Sequence, residues 1–233
     1  MHTSALQNAR RFFNTYAGAL PAASDRVHVV EIGSANVNGS LREVCPPGVR
    51  YTGLDFAAGP GVDIVLDDAY ALPLADGCAD IVVSSSCFEH SELFWLVFLE
   101  AMRILAPHGL FYLNAPSNGA IHRYPVDCWR FYPDSGRALV TWGRRNGLAC
   151  ELLESWVGAR EGTQEGDHWN DFVAIFLKDS AHISAYPRRI LHRLQGFQNG
   201  TLHGDDRVLN PSVLTEDQLR MKAMAAQLRA LRP

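Results

Sequence analysis

The stretch VHVVEIG (27–33) is short, rich in β-branched residues and closed by a glycine. That pattern predicts a strand rather than a helix. The same reading recurs down the chain at YTGLDF (51–56), the shorter VDIVLDD (62–68), ADIVVSSS (79–86) and LFYLNA (110–115). Between them fall helical patterns. Residues 91–106 include LFWLVFLEAMRIL, apolar on nearly every side and so expected to be a buried helix, with Gly109 as its stop. GSANVNGSLREVC offers turn residues and then a helix, and residues 134–146 read as another. GLACELLESW (147–156) and NDFVAIFLK (170–178) finish as strands joined by a polar loop. Upstream, residues 3–18 place Leu6, Ala9, Phe12, Phe13 and Tyr16 at helical spacing, with Gly18 as the stop.

Strands that alternate with helices imply parallel βαβ units, connected right-handedly and covered on both faces. The expected body is therefore an α/β unit over residues 1–187, with a leading helix at 3–18 and a core at 27–178. From 188 onward the chain changes character. Residues 1–187 carry a net charge of -8 and residues 188–233 one of +4. GFQNGTLHGDD reads as a turn-rich linker and TEDQLRMKAMAAQLRAL as a helix, with Thr215 and Gln218 spaced for a capping box. Met221, Met224, Leu228 and Leu231 form a short apolar seam on it. A basic tail on an acidic body is expected to serve self-association or to dock a protein partner.

Composition narrows the class. With 47% apolar and 20% charged residues the chain can bury a core without disulfides or metals. An overall charge of -4 argues against nucleic acid as a partner. Cysteines 45, 78, 87, 128 and 150 are odd in number and contain no C-x-x-C pair, which favours reduced thiols and a cytoplasmic setting. No apolar run has the length of a membrane span or the form of a leader peptide.

In parallel sheets ligands bind beyond the carboxyl ends of the strands. Here those ends are polar: Glu31 to Ser34, Asp55, Asp67 and Asp68, Ser84 to Ser86, and Asn114. In EIGSANVNG (31–39) glycines stand at 33 and 39 only, so the dinucleotide fingerprint G-x-G-x-x-G is not met. Asp55, 22 residues after Gly33, is placed to accept both hydroxyls of a ribose. Glu31 puts negative charge where a pyrophosphate would pass, and Asp68 offers another carboxylate at the purine end. An acid-lined pocket repels pyrophosphate but suits a ligand carrying sulfonium and ammonium groups.

The ordered series EIGS, LDF, DDAYALPLADGCADIVVSSSCFEH and ILAPHGLFYLNAPS resembles the class I S-adenosylmethionine-dependent methyltransferases over about residues 27–178. The resemblance implies a Rossmann-like, mostly parallel seven-stranded sheet with helices on both faces, and S-adenosylmethionine as cofactor. It implies Glu31, Gly33 and Ser34 around the methionine half, Asp55 on the ribose and Phe56 beside the adenine. Asp68 and Ala69 match the pair that meets the adenine edge, and Ser84 and Ser85 the wall near the methionine amino group. The first motif departs from the family where Ser34 to Asn38 replace its usual second glycine position. The plainer alternatives are that Gly33 and Gly39 serve turns, that Asp68 caps the next helix, and that Ser84 to Ser86 satisfy strand-end backbone groups.

One segment is written for neither strand nor helix. HRYPVDCWRFYPD (122–134) holds four aromatics, two arginines and a histidine, and its prolines 125 and 133 break regular structure. Following the fifth strand at once, it is expected to be a lid over the acceptor. Its pairing with SSSCFEH resembles a bacterial methyltransferase subgroup linked to polysaccharide and O-antigen synthesis. A sugar hydroxyl needs its proton removed, and histidine is the commonest base, so His90 and His122 are the candidates, with Asp127 and Glu89 behind them. Tyr124, Trp129 and Tyr132 offer flat faces to a sugar, and Arg123 and Arg130 directional bonds to hydroxyls or a phosphate. The competing view makes Arg130 and Asp127 a structural ion pair. No H-E-x-x-H or other compact ligand spacing appears, so no metal is expected. Rival functions are methylation of a small metabolite, lipid or natural product, a partner subunit without turnover, and a nicotinamide oxidoreductase, which Glu31 and the missing fingerprint disfavour.

Overall fold

A computed structural model describes residues 3–20, 26–159 and 169–230. The first five strands are β1 (His28–Ile32), β2 (Arg50–Asp55), β3 (Ile64–Val65), β4 (Ala79–Ser85) and β5 (Leu105–Pro116). They are followed by β6 (Glu151–Gly158), β7 (Asp171–Leu177), β8 (Phe197–Leu202) and β9 (Asp205–Leu209). One sheet holds them all, in the order β3-β2-β1-β4-β5-β7-β6-β8-β9. β1, β2, β3, β4 and β5 pair in parallel, while β7 enters antiparallel between β5 and β6.

The short apolar runs explain the central strands. β1 is buried along its whole length, as a parallel strand covered on both faces must be. Alternation then divides the side chains between two cores. Val30, Ile32, Val82, Phe111 and Phe176 face α2 (Phe94–Ile104) and α3 (Ser135–Arg145). Val29, Val83, Tyr112 and Ile175 face α1 (Thr3–Tyr16), which inserts Phe12, Phe13 and Tyr16. The helix expected after GSANVNGS is only a 3-10 turn, Leu41–Val44, whose first residue is capped by the Ser40 hydroxyl. Ser and Asn there compete for backbone groups and stop the helix from extending.

The sheet has nine strands where seven were expected. The stretch read as a polar linker is the hairpin β8–β9, turned by His203 and Gly204 (φ 78°) between the paired Leu202 and Asp205. β8 pairs antiparallel with β6, and the Thr201 and Ser155 hydroxyls bond across the pair at 2.8 Å. Before it, residues 190 and 191 fasten to the body through a buried carboxylate. Glu154 accepts bonds from the Tyr16 hydroxyl (2.6 Å) and from the Ile190 and Leu191 amides (2.8 and 2.9 Å). The boundary drawn at 187/188 therefore cuts through one packed unit.

The last helix, α4 (Glu216–Ala230), buries none of its residues and leaves Met221, Met224 and Leu228 exposed, its first turn tied to the body by Asn118, whose Nδ2 donates to Asp217 Oδ1 at 2.9 Å. Its capping box forms as the spacing implies: Thr215 N donates to Gln218 Oε1, and Gln218 N to Thr215 Oγ1. Leu231, the end of the apolar seam, lies outside the described residues, as does most of the loop between β6 and β7.

Removing everything after residue 186 strips two donors from Glu154 and bares the β6 edge. Orphaning a buried charged group costs on the order of 3 kcal/mol or more. The truncated chain is expected to lose cooperative thermal unfolding, whereas removal after residue 214 leaves Tm within a few degrees. Calorimetric scans of the two truncations check this.

Candidate active site

At the β1 end the chain turns through Gly33 (φ 81°), and the Gly33 and Ser34 amides donate to Leu54 O at 2.9 and 3.0 Å. A Cβ at position 33 would lie 2.5 Å from Cys87 Cβ, so this position needs glycine for both its φ and its space. Glu31, just before it, is buried and accepts from the Tyr51 hydroxyl at 2.8 Å. Burial pushes its carboxyl up to about 7, partly opposed by that hydrogen bond. Asp55, at the β2 end, is buried and accepts from the Ala35 and Ala57 amides at 3.0 and 3.2 Å. Ser84 Oγ donates to Ile32 O, while the Ser34 and Ser85 hydroxyls are buried without a hydrogen-bond partner.

Asp68, Ala69 and Phe56 lie apart from this buried group, on the surface. Asp68 bonds the Tyr70 amide at 2.8 Å, an Asx turn with no α-helix behind it. The two orphaned hydroxyls, the glycine cradle and the Asp55 carboxylate fit a ligand with a ribose and a zwitterionic amino-acid end. Each group supplies what such a ligand lacks in an apolar setting.

The second half of the site is built across β4 and β5. Ser86 adopts a left-handed conformation (φ 51°), uncommon for a residue with a side chain, and turns the chain sharply off β4. The 3-10 turn Phe88–His90 follows, burying Phe88 and Glu89. The Glu89 carbonyl accepts the Cys128 and Trp129 amides at 2.7 and 3.2 Å, and Phe131 N donates to Pro116 O. These bonds clasp the 122–134 segment over the β4 exit. His90 Nδ1 then meets Val126 O at 2.6 Å, and the His122 amide donates to Asp127 Oδ2 at 2.7 Å. The two imidazole rings lie edge to face, 4.8 Å between centroids.

Electrostatics separate the acids there. Arg130 grips Asp127 with both amino groups (2.6 and 2.9 Å), holding that carboxyl well below the usual range. A carboxylate so occupied is a poor proton acceptor, so Asp127 stands as an orienting group rather than a base. Arg130 also donates to the Ala120 and Trp129 carbonyls, which makes it a brace of the segment. Glu89 is the opposite case: burial pushes it up to about 8, and its Oε2 has no hydrogen-bond partner. Burial also lowers the His90 imidazole.

The structure thus brings His90, His122 and Asp127 together, and sets Tyr124, Trp129 and Tyr132 as exposed rings along the segment, with Arg123 exposed beside them. Asn114 is not open to the pocket; it is fully buried and bonded by Asn8 of α1. Glu89, the reserve base beside Asp127, lies here too. Its signal was position alone, an acid beside a histidine where the fourth strand ends. Glu89, His90 and His122 place one ligand-capable atom each within 4.8 Å of one another. No compact spacing revealed this, because 32 residues separate the two histidines.

The strand order with an antiparallel β7, and a polar cradle at the β1, β2 and β4 ends, define the Rossmann-like class I methyltransferase fold. Residues 17–113 match the family model of the methyltransferase domain. That match covers 97 of the 233 residues. Among curated proteins it is 30% identical over 142 residues to an uncharacterized methyltransferase of Mycobacterium ulcerans strain Agy99. That alignment covers 56% of this chain and 52% of the relative, so the chain spans about half the length of the curated relative it matches. Among solved structures it resembles the Burkholderia thailandensis 1,6-didemethyltoxoflavin-N1-methyltransferase bound to S-adenosylhomocysteine. The TM-score is 0.55 at 13% identity, covering 76% of this chain and 79% of that one. A putative sarcosine dimethylglycine methyltransferase from Galdieria sulphuraria gives a TM-score of 0.53 at 14% identity, covering 74% and 86%. At such identities the likeness establishes the fold. No helix among the described residues is long and apolar enough to cross a membrane.

Glu31 gives a pH test. Its folded value, about 7, lies above the ordinary 4.5, so between these values the native state holds more proton than the unfolded chain. Its contribution is therefore lost as pH rises from about 4.5 to about 7, by up to about 3 kcal/mol. Urea unfolding across this window should fall less steeply for Glu31→Gln than for the wild type.

Proposed function

We propose that this protein is an O-methyltransferase acting on a hydroxyl of a sugar or polysaccharide acceptor. The observation that carries this reading is the paired imidazoles beside buried Glu89, beneath a segment of exposed aromatic rings. Gly33, Ser34, Asp55 and Ser85 bind the cofactor, with Glu31 beneath the methionine half and Ser84 shaping the wall. Phe56, Asp68 and Ala69 close over the adenine from the surface. Bound S-adenosylmethionine supplies an electrophilic methyl group: an O–CH3 bond forms as the S–CH3 bond breaks, its electron pair staying on sulfur.

The chain's own residues do the rest. His90 and His122 receive the acceptor hydroxyl and take its proton, the carbonyl of Val126 and the Asp127–Arg130 pair having fixed the two rings. Tyr124, Trp129 and Tyr132 pack on the apolar faces of sugar rings, and Arg123 bonds their hydroxyls or a phosphate. Alignment of oxygen with the methyl carbon accounts for much of the rate, so the clasp on Glu89 is part of the machinery.

Incubation with methyl-labelled cofactor and a panel of sugar nucleotides, oligosaccharides and amine controls, read by mass spectrometry, tests the acceptor class. Label confined to nitrogen or sulfur would overturn it. Asp55→Ala removes charge-assisted bonds worth roughly 1.5–3 kcal/mol each and is expected to weaken cofactor binding about tenfold or more by calorimetry. His122→Ala should cut turnover by roughly 10²–10⁴ while cofactor affinity stays near wild type.

A further inference from the structure

We infer that Glu89, His90 and His122 form a binding site for a divalent transition-metal cation of the zinc, manganese or cobalt kind. Glu89 Oε1 lies 3.6 Å from His90 Nε2 and 4.0 Å from His122 Nε2. The tautomers follow from the other side of each ring. His90 Nδ1 faces the Val126 carbonyl at 2.6 Å, and His122 Nδ1 faces the Ala120 carbonyl and the Asp127 carboxylate at 3.3 and 3.5 Å. Carbonyls and ionised carboxylates only accept, so in the neutral rings each Nδ1 carries the hydrogen and each Nε2 presents a lone pair. Both lone pairs therefore converge on a carboxylate oxygen. With Glu89 ionised, three acceptors aimed at one point repel one another, and either a proton or a bound cation relieves that repulsion.

Two further features match a metal centre rather than a hydrogen-bond network. The second carboxylate oxygen, Glu89 Oε2, is buried with no hydrogen-bond partner, and the Glu89 side chain is only 1% exposed. Metal-ligating histidines characteristically give their other ring hydrogen to a carbonyl or carboxylate, and here one does each, the carboxylate itself braced by Arg130. Two imidazoles and one carboxylate suit zinc, manganese, cobalt or iron, while magnesium and calcium prefer all-oxygen sites. Ligand bonds of about 2.0–2.2 Å require neighbouring ligand atoms about 3.0–3.5 Å apart, so modest side-chain closure completes the site. Three protein ligands leave coordination positions open. They face the side where His122 is 30% exposed, and an acceptor oxygen bound there would be polarised as a hydroxyl about to be methylated. That last consequence rests on the proposed acceptor, and it replaces proton abstraction by the imidazoles, since a ligating Nε2 has no free lone pair; the cation site depends on neither.

The test uses the full-length protein, freed of metal with a chelator and titrated with Co2+, then Zn2+. One equivalent of Co2+ should bind with visible absorption bands and be displaced by Zn2+. His122→Ala and Glu89→Gln should each weaken binding by about 100-fold or more. Circular dichroism and cofactor binding verify that the variants fold. Should Glu89→Gln fail to fold, the more exposed position carries the test as His122→Gln. Absence of saturable Co2+ binding, or binding unchanged in the folded variants, would overturn the site. Binding of Co2+ by a protein that methylates no hydroxylated compound supports the site and sinks only the acceptor reading. Full methyl transfer by protein that binds no Co2+ does the reverse.

Discussion

The backbone carbonyl of Glu89 accepts two amides, those of Cys128 and Trp129, and the functional end of the molecule depends on that acceptor. It works with the His90–Val126 and Trp129–Ser91 bonds to hold the segment after β5 against the exit of β4. With it, a side chain from each side of the clasp reaches the same point, and His122 comes within ring contact of His90. The left-handed turn at Ser86 makes the carbonyl available, because it directs residues 87–90 away from the sheet. The same turn sets Cys87 against Gly33, so the proposed cofactor cradle and the proposed acceptor segment are shaped by one change of chain direction.

The two halves of the pocket handle charge differently. On the cofactor side the acids are bonded by backbone amides or a tyrosine, and the unsatisfied groups are neutral hydroxyls. On the acceptor side one acid, Asp127, is fully compensated by Arg130, while Glu89 is left with an unpaired oxygen in the interior. Such a group is costly unless something else arrives to compensate it. The asymmetry marks where the chain's own structure is complete and where it is not.

Much of the frame was legible in the sequence, for a physical reason. Strands covered on both faces must be continuous apolar runs, so VHVVEIG, ADIVVSSS and LFYLNA declared themselves. Gly33 and Asp55 were readable because strand ends in parallel sheets are where polar residues gather. β8 and β9 were not, since Gln198, Asn199 and Gly200 disguise a strand whose partner, β6, lies some 45 residues earlier. Arg130 was legible both as a ligand contact and as the partner of Asp127, because an arginine among aromatics with an acid three residues back suits either; only the local fold, with its two-pronged grip, decides between them. Glu89 was legible only as a reserve base, because its isolation becomes visible once residues 122–134 cover it.

The added hairpin also changes what the sheet presents to other molecules. A parallel sheet ending at β6 would offer an open antiparallel edge, a template on which a foreign strand could grow. β8 and β9 occupy that edge. The outermost strand is then one that opens with Asp205 and Asp206 and has Arg207 folded back on Asp205, so charge stands where a neighbour would have to pair. At the far side β3 is only two residues long. Both borders of the sheet are thus poor seeds for polymerisation, and a chain with a large hydrophobic interior is guarded at its flanks by one turn-rich hairpin and one abbreviated strand.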